Sequence, residues 1–239
     1  MAESSLSVDI NALRLEVGLR QGWPRAAASM TSVQLADFDT ISKKALRMFY
    51  FPPISESMPY YEWSFLRKAG TITMQTNTSA YTMPDDFGGT LLDESVAYSS
   101  GVTQAPLTKV SEGTIRMQQA GDSTAYGYPK YFAIRNKAHD VANGQRWEML
   151  LYPAPNTALN NTTLNYRYVY IPDLLTNTNK YPVGGAQYSE VIVAAHLAAG
   201  EQVLDGDPNG PYTQSFITMI ATAVRSDLQQ KANEDGGEA

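Results

Sequence analysis

Residues Asp205-Gly-Asp-Pro-Asn-Gly210 set two carboxylates and a carboxamide at alternate positions ahead of a glycine, which is how a calcium loop begins. Such a loop closes on a bidentate carboxylate, and the position that would hold it is Phe216, on the apolar face of the following helix. The segment therefore reads as a helix connector in which Asp, Gly, Pro and Asn serve turn geometry. The carboxylate pairs Asp85-Asp86 and Asp93-Glu94 have the residue types of glycoside hydrolysis. That chemistry needs two carboxylates facing each other across a sugar bond, which sequence neighbours rarely supply, and Asp85-Asp86 follows Pro84 as a turn would. A nucleophile–His–acid triad would need His139 or His196 as its base, and neither has a nucleophile elbow beside it. His139 sits in a polar loop with Lys137 and Asp140, whereas His196 follows Ala194 and Ala195 on a helix and reads as a packed or interface residue. The pairs Gly88-Gly89, Gly184-Gly185 and Gly236-Gly237 lack the Lys-Ser/Thr and helix context of a phosphate-binding loop. Tyr166, Tyr168 and Tyr170 offer rings that could stack on sugars. The core face of one strand, or an interface patch, is the better reading, since tyrosine is enriched at interfaces. No residue is assigned to catalysis, cofactor or metal, and no enzymatic activity is expected.

Three regions of different periodicity would have to position these residues. Up to about Ala69 the pattern is helical. Asn11 to Arg20 forms one helix, broken by Gly22, Trp23 and Pro24. Thr31 and Gln34 have capping-box spacing, and from there Leu35, Phe38, Ile41, Ala45, Met48 and Phe49 recur at helical intervals until Pro52 and Pro53. A short helix is predicted over Tyr60 to Lys68. From about Gly70 to Tyr181 the period is two, most plainly in Trp147 to Tyr152 and in Leu164 to Tyr170, with a short helix capped by Ser111. Two apolar helical faces close the chain, Tyr188 to Val203 and Tyr212 to Val224, joined by about six residues and so packed antiparallel. Residues Asn233 to Ala239 are expected to be disordered in isolation. The predicted fold class is α+β: a helical bundle from 1–69 and 183–239, carrying an inserted antiparallel β-rich domain at 70–182.

Composition narrows the function classes. With 239 residues and 43% hydrophobic content the chain can bury a substantial core, and at 18% charged it is poorer in charge than most globular proteins. Its net charge of −6 argues against gripping nucleic-acid phosphates, but an acidic wall would let DNA slide past without sticking. Cysteine is absent, which excludes disulfides and thiolate metal sites. No apolar run approaches a membrane span, and the N-terminus has no secretory signal, so no membrane association or export by that route is expected.

Three stretches, taken in order, carry a resemblance. Phe49-Tyr-Phe-Pro-Pro53 ends the long helix and is followed by Tyr60-Tyr-Glu-Trp-Ser-Phe-Leu66. Ser79-Ala-Tyr-Thr-Met-Pro-Asp-Asp-Phe87 is a strand running into a turn. Tyr128-Pro-Lys-Tyr-Phe-Ala-Ile134 precedes Trp147-Glu-Met-Leu-Leu-Tyr-Pro-Ala-Pro155 and Leu164-Asn-Tyr-Arg-Tyr168. Their order and spacing resemble the head-to-tail adaptor proteins of tailed phages, including the tail tubular protein A group, from about Leu13 to Leu228. The resemblance implies a structural virion protein at the head–tail junction. It would form a homo-oligomeric ring, a dodecamer, between the portal protein and the tail or nozzle proteins, with DNA passing through a central channel unread. No catalytic residues come with the family. Such a subunit would stay monomeric until the portal templates it, with interface surface expected from Phe49, Tyr50, Phe51, Pro52, Pro53, Tyr60 and Trp63 and, on the last helix, Arg225 and Lys231. The alternative reading is a tail-associated carbohydrate-binding or glycan-hydrolysing module resting on the tyrosines and carboxylate pairs.

Overall fold

A computed structural model describes residues 3–52, 61–99, 101–142 and 144–235, and for 93–95 and 234–235 the backbone alone. Among these residues the helices are α1 (Ile10–Gln21), α2 (Ser32–Tyr50), α3 (Glu112–Gly121), α4 (Ser189–Gly200) and α5 (Pro211–Asp235). The strands are β1 (Arg67–Thr73), β2 (Ala80–Thr82), β3 (Phe87–Tyr98), β4 (Thr108–Lys109), β5 (Tyr126–Gly127), β6 (Tyr131–Asn136), β7 (Trp147–Tyr152), β8 (Ala154–Pro155) and β9 (Thr163–Tyr170). The fold is α+β, and the chain divides into two compact units, Met1–Leu66 with Pro172–Ala239, and Arg67–Ile171.

In the helical unit, local chemistry sets the helix ends. The Asp9 carboxylate accepts from the Ala12 N–H at 2.8 Å to open α1, and Gly22, at φ 67°, ends it in the left-handed conformation. At α2 both halves of the capping box are made: Thr31 Oγ1 accepts from the Gln34 N–H, and Gln34 Oε1 from the Thr31 N–H. Helix α4, apolar at almost every position, packs against α1, α2 and α5. Its Ile192, Ala195 and Ala199 lie buried, as do Leu13 and Val17 of α1 and Phe38, Ile41 and Ala45 of α2. His196 is fully enclosed here, Nδ1 2.8 Å from the Ile192 carbonyl, Nε2 3.3 Å from Ser42 Oγ, its ring stacked on Phe38. Burial holds its pKa down to about 4. After α4 the chain widens into a π turn, Glu201–Asp205, before the connector to α5. Helix α5 runs on to Asp235, so Asn233 to Asp235 are helical rather than disordered, and 236–239 lie outside the described residues.

In the second unit, β1-β9-β3 and β2-β7-β6-β4 form two sheets, and β5 pairs with β8. Pairing is antiparallel except at β4–β6 and β5–β8, which run parallel. Ile72, Phe87, Leu164, Tyr166 and Tyr168 from one sheet meet Tyr81, Phe132, Met149 and Leu151 from the other in one core. The outer face of β7 is buried too, because Ile115 of α3 packs on Leu150 and Ala133. The predicted helix over Tyr60 to Lys68 is corrected. Tyr60 lies outside the described residues, Ser64–Leu66 is a single 3₁₀ turn, and Arg67 already pairs with Val169 in the sheet. A full strand partner in β9, together with Thr71, Ile72 and Thr73, outweighs a brief helical phase.

Candidate docking surface

Asp85, Asp86, Tyr166, Tyr168, His196, Asp205 and Asp207 prove to be committed within the fold. Asp85 is ion-paired with Arg146. Asp86 takes Lys68 Nζ at 2.5 Å and the Tyr168 hydroxyl at 2.8 Å. Burial would raise the pKa of Asp86, but the hydrogen bonds from Lys68 and Tyr168 and the lysine charge outweigh it and hold the carboxyl below its usual range. Tyr168 and Tyr166 are core residues, 1% and 3% exposed, and so form no open stacking platform; Tyr170 is half-buried. The side chains of Asp93 and Glu94 lie outside those described. His139 is exposed in its loop. Asp205 binds Arg20 at 2.5 Å, and Asp207 accepts from the Asn209 N–H at 2.9 Å, so the connector's carboxylates serve an ion pair and a turn.

The expected interface residues differ in how far they are exposed. Phe49, Tyr50, Pro52 and Trp63 are enclosed by their own chain. Trp63 is the centre of an aromatic cluster: its ring lies 5.2 Å from Phe49, 5.2 Å from Phe65, 5.3 Å from Tyr188 and 5.2 Å from Tyr61, and its indole N–H donates to the Phe49 carbonyl. Phe49, Tyr50 and Trp63 hold the monomer together, whereas Pro52, though little exposed, borders the groove described below. Phe51 is 36% exposed and Arg225 is exposed, whereas Pro53 and Tyr60 lie outside the described residues. Lys231 is mostly covered; it donates to the Glu62 carbonyl, pairs with Asp227 at 3.5 Å and sits over the Tyr61 ring.

Two buried carboxylates, which sequence reasoning did not single out, fix α5 at its two ends. Glu201 accepts from Thr213 N at 2.9 Å, Thr213 Oγ1 at 3.1 Å and Tyr212 N at 3.4 Å, which satisfies free N–H groups of the first turn of α5. Arg20 lies 3.7 Å from Glu201 and balances its charge. Near the other end Asp227, with no exposure, accepts from Tyr61 Oη at 2.6 Å, Ser64 Oγ at 2.5 Å, Ser64 N at 3.1 Å and Tyr188 Oη at 3.4 Å. Burial alone would raise its pKa; the hydrogen bonds from Ser64 and Tyr61 and the charge of Lys231 outweigh this and hold it below the ordinary carboxylate value. The same pairing pushes the Tyr188 hydroxyl, already raised by burial, up to about 12. One signal was available: Phe216, Ile220, Val224 and Asp227 share a helical phase, and a carboxylate on an apolar stripe demands partners.

Held at both ends, α5 presents an outer face of unusual composition. From Pro211 to Val224 no residue is charged, although Tyr212, Gln214, Ser215, Ile217, Thr218, Ala221 and Thr222 face solvent. The Thr218 and Thr222 hydroxyls are taken up by the helix's own carbonyls, at 3.1 Å each. Ile217 and Leu228 are 51% and 50% exposed. With Pro52, Phe216, Ile220, Ala221, Val224 and Arg225 they line an open groove of about 460 Å³. A solvent-facing helix surface normally carries charge, and its loss marks the cores of protein interfaces.

The SU10 adaptor protein family matches this chain over residues 23–237. The chain belongs to that family. It is a phage head-to-tail adaptor in kind and hence a structural component of the virion, in agreement with the order of motifs in the sequence. No curated protein matches the adaptor's sequence. No helix among its described residues is long and apolar enough to cross a membrane.

Proposed function

We propose that this adaptor forms a ring between the portal and the tail, with DNA passing through a central channel and no base being read. The observation that carries the reading is the outer face of α5, uncharged from Pro211 to Val224, with Ile217 exposed on it and Leu228 exposed just beyond, a surface suited to protein cover rather than to water. The net charge of −6 supports a wall that DNA slides past. The family match supports the adaptor role, and the twelvefold ring comes from the resemblance to head-to-tail adaptors. The test is negative-stain microscopy of the purified protein, alone and mixed with the portal protein encoded by the same genome. Rings on the portal, with free protein monomeric, are the expected result. Protein that joins neither portal nor tail components would overturn the reading.

A further inference from the structure

We infer that the groove along α5 seats an amphipathic helix of another protein, one apolar along a three-and-four-residue seam and acidic where it passes Arg225. The inference rests on the adaptor reading, in which the chain docks onto a larger assembly. Ile217, Ala221, Val224 and Leu228 line the groove at steps of four, three and four residues. That is the spacing with which one helix receives the side chains of another, and a strand or irregular loop has no matching period. The small side chains Ala221, Thr218 and Thr222 on the same outer surface allow a close approach.

Charge gives the partner its polarity. Arg225 stands at the groove's rim, exposed, with no ion-pair partner among the described residues. A carboxylate on the incoming helix completes it and fixes the helix's register, because a rim charge discriminates partners even where it adds little affinity.

Two of the chain's other helices do not match: along α2 the outer face carries the cations Lys43 and Arg47, and α4 is packed against α1, α2 and α5. A second copy offering the same groove could meet the first only around a twofold axis. Such a pair closes at two copies and leaves no route to a ring.

The test uses the full chain and two designed helical peptides with leucines at alternating three- and four-residue steps, one rimmed by glutamate and the other by lysine. Calorimetry is expected to show binding of the glutamate-rimmed peptide, weakened about tenfold or more by Leu228→Asp or Ile217→Asp, with the far-ultraviolet spectrum and melting curve unchanged. Arg225→Glu is expected to reverse the preference toward the lysine-rimmed peptide. Absence of binding, or binding indifferent to all three substitutions, overturns the inference. So does wild-type self-association in sedimentation that Leu228→Asp abolishes, which would assign the groove to a second copy. Leu228→Asp protein that assembles on the portal as the wild type does removes the groove while leaving the adaptor reading intact. Wild-type protein that never joins the portal removes the adaptor reading itself.

Discussion

Tyr61 donates a hydrogen bond of 2.6 Å to Asp227, joining residues 166 positions apart. The bond ties the segment that follows α2 to the later turns of α5, and Ser64 and Lys231 reinforce it on the same carboxylate. The outer face of α5 is thus held by a charge on its inner side.

Removing that carboxylate should loosen the helical unit. Asp227→Ala leaves Tyr61, Ser64 and Lys231 without their acceptor and is expected to cost about 3–5 kcal/mol. Asp227→Asn, which keeps the shape and one acceptor, is expected to cost about 1–3 kcal/mol. Urea denaturation of both variants checks the order, and equal stability of all three proteins would refute it.

Acid should destabilise the fold in two windows. His196 is held at about 4 against 6.5 for the free side chain. Between those values the unfolded chain takes up a proton that the native state refuses, so stability falls as pH drops through the interval, by about 3 kcal/mol at full extent. Asp227 and Asp86, whose pKa values folding lowers, contribute fully above the unfolded carboxylate value. Their contribution is lost as pH falls through that value toward the folded ones. Urea midpoints measured from about pH 7 to about pH 3 should show both slopes, and His196→Phe should flatten only the upper one.

Gly210 is fixed by contact. A Cβ at this position would stand 2.1 Å from the Glu201 carboxyl carbon, and that side chain is itself buried and engaged with Thr213, Tyr212 and Arg20. Gly210→Ala is expected to cost about 1–3 kcal/mol. Since the damage is done to Glu201, the double variant with Glu201→Ala should cost clearly less than the two single changes added. Melting temperatures of the three variants test this coupling.

Stability and docking should separate by residue. Phe49→Ala opens a hole beside Trp63 and is expected to cost about 3–5 kcal/mol, whatever the partner. Arg225→Glu should leave the melting curve in place and impair assembly on the portal. A result with the roles exchanged would return the interface to the aromatic corner.

Features written in short-range code were legible in the sequence. The Thr31–Gln34 capping box, the Ser111 cap of α3 and the alternation of Leu164, Tyr166 and Tyr168 are each decided by neighbours within a few positions. The start of β1 at Arg67 was not, because its partner strand lies about a hundred residues away and no local signal announces it. The aromatic corner was read as surface for a related reason. Phe49 and Trp63 are large and interface-like in type, and only their meeting with Tyr188 from a distant segment shows that they satisfy one another within the chain. The uncharged run from Pro211 to Val224 was visible throughout. Its meaning emerged once Glu201 and Asp227 showed which side of α5 faces inward.

The register of β1 against β9 has a consequence for how such a chain can change over generations. Arg67, where the strand-rich unit begins, pairs with Val169, two residues before it ends. Cα atoms opposed in this way lie about 5 Å apart. A cassette whose two ends nearly touch can be shortened, lengthened or traded for another by closing a gap that a few residues span, and the helices on either side keep their path. Lineages sharing the helical scaffold are thereby free to carry different cassettes.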